Sequence, residues 1–306
     1  MNKELKFDLS VETNALLNTN PSEWYAKAYI TENVADNYRT LPGIKSATKL
    51  ATQSFTNILK ESTCDFGTTT ESLDAIDIAV TAVSALGEIC QFDLEQSFIS
   101  LQMAKGSNGN FQVADYMSHY WDAMASEIEA EIESIRWQGD SAGSTGTFLD
   151  LADGYNKVLT ADSDVIDIVS TATTVGNVID HMIKMVEALP APLQSKRDEL
   201  RFHVAPNVAI AYELAAAQGN TVAFITESLG LRFLGIKLVV NEGMLSDTMV
   251  LTRKDNLIYS FDGEGDSKAL KAIDLSESVA EPKLRTRANI KIGFQITNPT
   301  EIVFFS

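Results

Sequence analysis

The pentapeptide Gly139-Asp140-Ser141-Ala142-Gly143 has the G-x-S-x-G spacing that, on a tight strand-to-helix turn, presents a serine hydroxyl for nucleophilic attack. Here it follows a helical pattern instead of a strand. Three histidines are on offer as the base: His119 in that helical pattern, His181 in an amphipathic one and His203 in an apolar strand. None carries a local signature, and helix termination accounts for a Gly/Ser loop in this place. A serine hydrolase using Ser141 is therefore the alternative reading from another class, and the chain is not expected to be an enzyme.

Metal and cofactor chemistry is no better served. Asp262-Gly263-Glu264-Gly265-Asp266 places oxygen ligands at alternate positions, as a calcium loop begins. Ser267 then stands where the sharp turn needs glycine and Ile273 where a bidentate glutamate belongs, so a glycine-rich hairpin tip is the better reading. Asp162, Asp164 and Asp167 read as a solvated face or a helix start. No Walker A, GxGxxG, CxxC or HExxH pattern occurs, and no cofactor or metal is expected. Cys64 and Cys90 are too few for a disulfide framework and read as free thiols.

Composition narrows the classes further. The chain has 306 residues, 45% hydrophobic and 22% charged, enough for at least one full core and two or three subdomains. With 24 Lys and Arg against 42 Asp and Glu, the net charge of −18 offers no basic footprint for nucleic acid. No apolar run is long enough for a membrane span, and the N-terminus lacks the apolar core of a signal peptide.

The longest uninterrupted helical pattern runs from Phe111 to Gln138 and is stopped at Gly139. Ala114, Met117, Trp121, Met124, Ile128, Ile132 and Ile135 recur at gaps of three and four and form one stripe, the face expected to pack on a sheet. At 1.5 Å per residue, about twenty-six residues span roughly 39 Å, enough to cross a whole domain. Before it, residues 1 to 43 are polar and broken by Pro21, Pro42 and Gly43, an arm too poor in apolar groups to order itself. Residues 44 to about 90 alternate around the turn-rich STCDFGTTTES, with a second run at 75–92 as the return strand, and predict a long two-stranded hairpin; a pair of strands inside the main sheet is the alternative. Such a ribbon is marginal alone in water, so Lys49, Phe55, Ile58, Phe66, Ile76 and Ile78 are candidates for contact with another subunit. Beyond the Gly/Ser loop the pattern reads helix from Thr173, with Asn177 or Thr174 as cap, then strand at 200–206 and helix at 207–218. Strands follow at 235–241, 247–251 and 256–261. The tail alternates, with Ala288, Ile290, Ile292, Phe294 and Ile296 on one face, before a final strand at 302–305.

This ordered set resembles tailed-bacteriophage major capsid proteins of the Hong Kong 97 type. AVTAVSALGEICQFDLEQSF resembles the strand that leaves the hairpin, AMASEIEAEIESIRWQGD the spine helix closing on its glycine, and FLGIKLVVNEGM the family's glycine, buried strand and turn. VIDHMIKMVEALPAPLQSKRDELRFHVAPNVAIAYELAAAQG is similar to the axial domain's helix, strand and helix, and RANIKIGFQITNPTEIVFF to the strand pair beside the spine. The resemblance implies an α+β Hong Kong 97-like capsid fold. Residues 1–43 would be the N-terminal arm, 44–90 the extended loop, 91–145 with 280–306 the peripheral domain with spine helix 111–138, and 146–279 the axial domain.

It also implies self-assembly into pentamers and hexamers of an icosahedral head around double-stranded DNA, in a virion assembled in the bacterial cytoplasm. Scaffolding, portal or decoration proteins would be the other partners, with no sequence-specific DNA binding and no membrane. An encapsulin-type compartment enclosing protein cargo is the alternative with the same fold. Many capsid relatives begin with a scaffolding segment; none is expected before this arm. Lys45, Lys49 and Lys60 could serve a cross-link, but no cross-link is carried over.

Overall fold

The computed structural model describes residues 32–56, 70–90, 113–169, 171–218, 231–262, 270–275, 281 and 283–306. Two sheets are bridged by one long helix. At the centre of the first lies β12 (Lys283–Ile296), whose alternation buries Leu284, Ala288, Ile290, Ile292, Phe294 and Ile296 and turns Arg285, Arg287 and Asn289 outward. One edge of β12 pairs antiparallel with β4 (Thr81–Cys90). Along its other edge β10 (Leu257–Asp262) and β11 (Leu270–Asp274) lie end to end, and β1 (Arg39–Pro42) adds a parallel strand outside β10.

The second sheet has six strands in the order β5-β13-β9-β6-β8-β7. These are β5 (Ile166–Ile168), β6 (Leu200–Val204), β7 (Arg232–Phe233), β8 (Ile236–Val240), β9 (Met249–Arg253) and β13 (Val303–Phe305). Its central strands are apolar on both faces, with Phe202, Val204, Val250 and Leu251 fully buried, as a sheet covered on both sides requires. Helices α4 (Val178–Ala188) and α6 (Pro206–Gln218) pack side by side on it. Shorter helices are α1 (Glu32–Asn37), α3 (Tyr155–Ala161) and α5 (Ala191–Gln194).

The bridging helix is α2 (Val113–Gln138). Toward its N-terminal half the Tyr120 hydroxyl meets Thr286 Oγ1 at 2.9 Å over β4 and β12. At its C-terminal end Gln138 Nε2 donates to Gly243 O at 2.7 Å in the β8–β9 turn. Both contacts need glycine: a Cβ on Gly87 would overlap the Tyr120 hydroxyl, and one on Gly243 would overlap the Glu133 carbonyl. The helix stops where Gly139 N donates to Ile135 O at 2.9 Å and Gly154 N donates to Gly139 O at 2.8 Å.

Strand pairing groups the chain differently from the ranges read off its order. The expected return strand over 75–92 is divided: β3 (Thr70–Ile78) pairs with β2 (Thr48–Thr56) in a separate two-stranded sheet, whereas β4 joins β12. The last residues of the expected arm form α1 and β1, because Val34 and Tyr38 are buried in the core and order them. β10 and β11 belong with β12, and the C-terminal β13 belongs with β9 and β5. Asn256, buried where both crossings between sheets occur, explains the exchange: its Nδ2 donates to Asn298 O at 2.8 Å and its Oδ1 accepts from Asn298 N at 2.6 Å. The expected side-chain cap on α4 is absent; Asn177 Oδ1 instead accepts from Thr174 N at 2.7 Å.

Candidate assembly surfaces and the junction beneath them

The residues that suggested catalysis are occupied with holding a loop. Ser141 N donates to Asp153 Oδ1 at 2.7 Å, and Lys157 Nζ bridges Asp140 at 2.6 Å and Asp153 at 2.7 Å. The Lys157 hydrogen bond holds the Asp140 carboxyl below the usual range. Asp150 closes the same loop by accepting from Gly146 N at 2.7 Å. His181 meets Thr171 Oγ1 at 3.2 Å and His203 meets Asn241 Nδ2 at 3.2 Å; neither hydrogen-bonds Ser141, so no nucleophile and base are paired among them. The side chain of His119 lies outside the described residues.

The acidic trio does not converge. Asp162 Oδ1 accepts from Asp164 N at 3.0 Å in a turn, while Asp167 Oδ1 accepts from Ser306 Oγ at 3.1 Å. Among the described residues no group of three His, Cys, Asp or Glu could hold a metal ion. Asp262 lies 3.8 Å from Lys291, and the rest of that glycine-rich stretch falls outside the described residues, as does Cys64. Cys90 is a free, partly buried thiol.

Of the α2 stripe, Trp121, Ile128, Ile132 and Ile135 are buried and Met124 is partly buried; the side chains of Ala114 and Met117 lie outside the described residues. Ala125, Arg136 and Trp137 are buried as well, and the stripe did not include them. Arg136 could not be read from periodicity because Ile135, Arg136 and Trp137 are buried in succession, so burial at the end of α2 is not confined to one stripe.

There the Arg136 guanidinium pairs with Glu133 and lies over the rings of Tyr38, at 5.0 Å, and Tyr259, at 5.1 Å. Burial disfavours its charge, but Glu133 together with Tyr38, Tyr259 and Tyr155 outweighs that and holds its pKa above the ordinary value. Tyr38 Oη donates to Asn241 Oδ1 at 2.8 Å, and Tyr155 Oη donates to Ile258 O at 2.8 Å. Burial pushes the Tyr38, Tyr155 and Tyr259 hydroxyls upward, so all three stay neutral. Burial, reinforced by the charges of Arg201 and Arg136, lowers the His203 pKa to about 3. Through Tyr38, Tyr155, Tyr259 and His203 the knot joins α2, α3 and both sheets.

What the body leaves outside is the β2–β3 ribbon. Lys49 and Asp77 face each other across it at 3.6 Å, both exposed, and Ile76 is partly buried. Ile78 is buried at the ribbon's base, inside its own subunit, and so cannot reach a neighbour. The side chain of Phe55, and Ile58 and Phe66 altogether, lie outside the described residues. The base is anchored by Gln295 Nε2 donating to Asp77 O at 3.1 Å and Lys291 Nζ donating to Lys45 O at 2.8 Å.

The fold as a whole is similar to that of chains in solved structures. A chain of the satellite phage P4 procapsid including its size determination (Sid) protein superposes with a TM-score of 0.60 at 12% identity, covering 96% of this chain and 98% of that one. This is a capsid-subunit fold. A chain in the capsid of the native GTA particle follows at TM-score 0.55 and 16% identity, covering 91% and 89% of the two chains. The capsid of Myoviridae phage XM1 gives TM-score 0.55 and 12% identity, covering 93% and 91%. No protein-family model and no curated protein matches the sequence. The capsid fold thus persists here at identities where sequence comparison is silent.

Proposed function

We propose that this chain is the major capsid protein of a tailed phage, self-assembling as pentamers and hexamers into an icosahedral head around double-stranded DNA. The observation that carries the reading is the completeness of the likeness to a procapsid chain, 96% of one chain on 98% of the other. The role is structural: the junction around Arg136 makes a stiff plate of two sheets and a helix, and the β2–β3 ribbon reaches a neighbouring copy. A two-stranded ribbon gains its stability from what it lies on, and shell subunits join through large shared interfaces. Lys49, Phe55, Ile58, Phe66 and Ile76 are the ribbon residues proposed for that contact.

A net charge of −18 suits a wall that holds DNA by enclosure and does not bind it through a basic groove. Scaffolding, portal and decoration proteins would complete the particle in the host cytoplasm. Sedimentation, negative-stain microscopy and nuclease protection of the purified native protein test the reading. Closed shells protecting DNA support it; shells filled with protein would replace it with an encapsulin-type compartment.

A further inference from the structure

The hairpin between β7 and β8 turns through Leu234 and Gly235, which connect the paired Phe233 and Ile236. Both turn residues have positive φ, 49° and 85°, the two-residue turn whose first position normally goes to Asn or Gly. A leucine there is sterically disfavoured, and it is 45% exposed, so it is neither relaxed nor hidden. The turn is nevertheless held firmly: Arg197 Nη1 donates to Leu234 O at 3.2 Å and Arg232 Nη1 donates to Gly235 O at 3.3 Å. Strain maintained by its surroundings around an exposed apolar group is a mark of function. The result is a fixed leucine knob with a basic rim on the edge of the six-stranded sheet.

The same sheet carries a surface with the opposite character. Helix α6 carries apolar residues on both its inner and its outer side: Val208, Ala211 and Tyr212 face the core, while Ile210 and Leu214 point outward, 57% and 49% exposed. Apolar residues on both faces of a helix call for cover on both, and among the described residues only one face is covered. Beside it α4 exposes Ile179 and Ile183, so two apolar ridges lie next to each other. Their surroundings are acidic, with Asp180, Glu187 and Glu213 exposed against Lys184 among the described residues of the two helices.

We infer that the Leu234 knob of one copy seats on the α4–α6 ridges of the next copy in a ring. Basic rim meets acidic rim, apolar tip meets apolar floor, and the two surfaces are different patches of one chain, which is what a head-to-tail ring contact demands. The inference rests on the shell reading and supplies a contact that the ribbon does not provide. It also explains the disfavoured turn: the leucine's backbone strain is retained because the side chain is needed outside the subunit.

The test uses the full-length chain and two variants, Leu234→Asn and Leu214→Lys, followed by sedimentation velocity across a concentration series. Asn suits the positive φ, so Leu234→Asn should melt no lower than the parent subunit, and Leu214→Lys changes only an exposed position. Each alone should need at least about tenfold more protein to assemble, one power of ten being about 1.4 kcal/mol. Mixed, they should form a heterodimer that neither forms alone, because one retains the knob and the other the floor, and the pair cannot extend into a ring. Assembly of Leu234→Asn at the parent concentration, or a mixture with no heterodimer, overturns the inference while leaving the shell reading intact. A parent chain that stays monomeric throughout overturns both.

Discussion

The guanidinium carbon of Arg136 lies 5.0 Å from the centre of the Tyr38 ring, and that contact ties the far end of the long helix to the strand that leads into the ribbon. Glu133 supplies the counter-charge from the preceding turn of the same helix. Arg136→Ala should cost the subunit about 3 kcal/mol, because it strands a mostly buried carboxylate and opens space beneath two tyrosines. Arg136→Met fills the volume and should cost less in combination with Glu133→Gln. Urea unfolding of the unassembled subunits measures both; an alanine variant within 0.5 kcal/mol of the parent, an order-of-magnitude threshold typical of surface substitutions, would show the knot to be inessential.

His203 gives the subunit an acid sensitivity of definite sign. Its pKa falls from the ordinary 6.5 to about 3 in the folded chain. The unfolded chain therefore takes up the proton first as pH drops. Stability should be at its plateau above about pH 6.5 and should decline by up to about 1.4 kcal/mol per pH unit down to about pH 3. In His203→Gln the slope between pH 6 and 4.5 should shrink by about one proton, read from urea midpoints at each pH. An unchanged slope would mean that His203 is not the group responsible.

Much of this architecture is legible in the sequence, and the parts that are not have a common cause. Period reveals α2 and β12 because each buries one face: Trp121, Ile128, Ile132 and Ile135 on the helix, Ala288 to Ile296 on the strand. Partnering is what period cannot reveal. Nothing in the alternation of residues 75–92 says that the chain leaves β2 at Ile78 and pairs with β12 from Thr81 onward. Nor does a polar N-terminal stretch announce that Tyr38 is a core residue, since its burial depends on Arg136 and Asn241, both distant in sequence. Leu234 was passed over for a related reason: an exposed leucine in a turn looks unremarkable until its φ is known.

Ile128, 5% exposed in the middle of α2, tests the helix face directly. Ile128→Asp puts a charge where no partner is available and should cost several kcal/mol, leaving no soluble folded subunit on expression. A variant recovered in soluble form with the parent's melting temperature would mean that this face carries little of the fold's stability.

The ribbon should behave in the opposite way. Replacing residues 50–75 with a short turn removes most of β2 and β3 but leaves Ile78 and the anchors at Lys45 and Asp77 in place. The shortened chain should fold with a near-parental circular dichroism spectrum and fail to form shells. Closed particles from it would reject the intersubunit role of the ribbon.

The central claim is that this 33.4 kDa chain builds a DNA-filled shell, and it is tested most directly by the mass and contents of the assembled native protein. Sedimentation with negative-stain microscopy should find closed particles in the megadalton range, and nuclease treatment should leave double-stranded DNA protected inside them. Particles that contain only protein, or a chain that remains a monomer at every concentration, would contradict it.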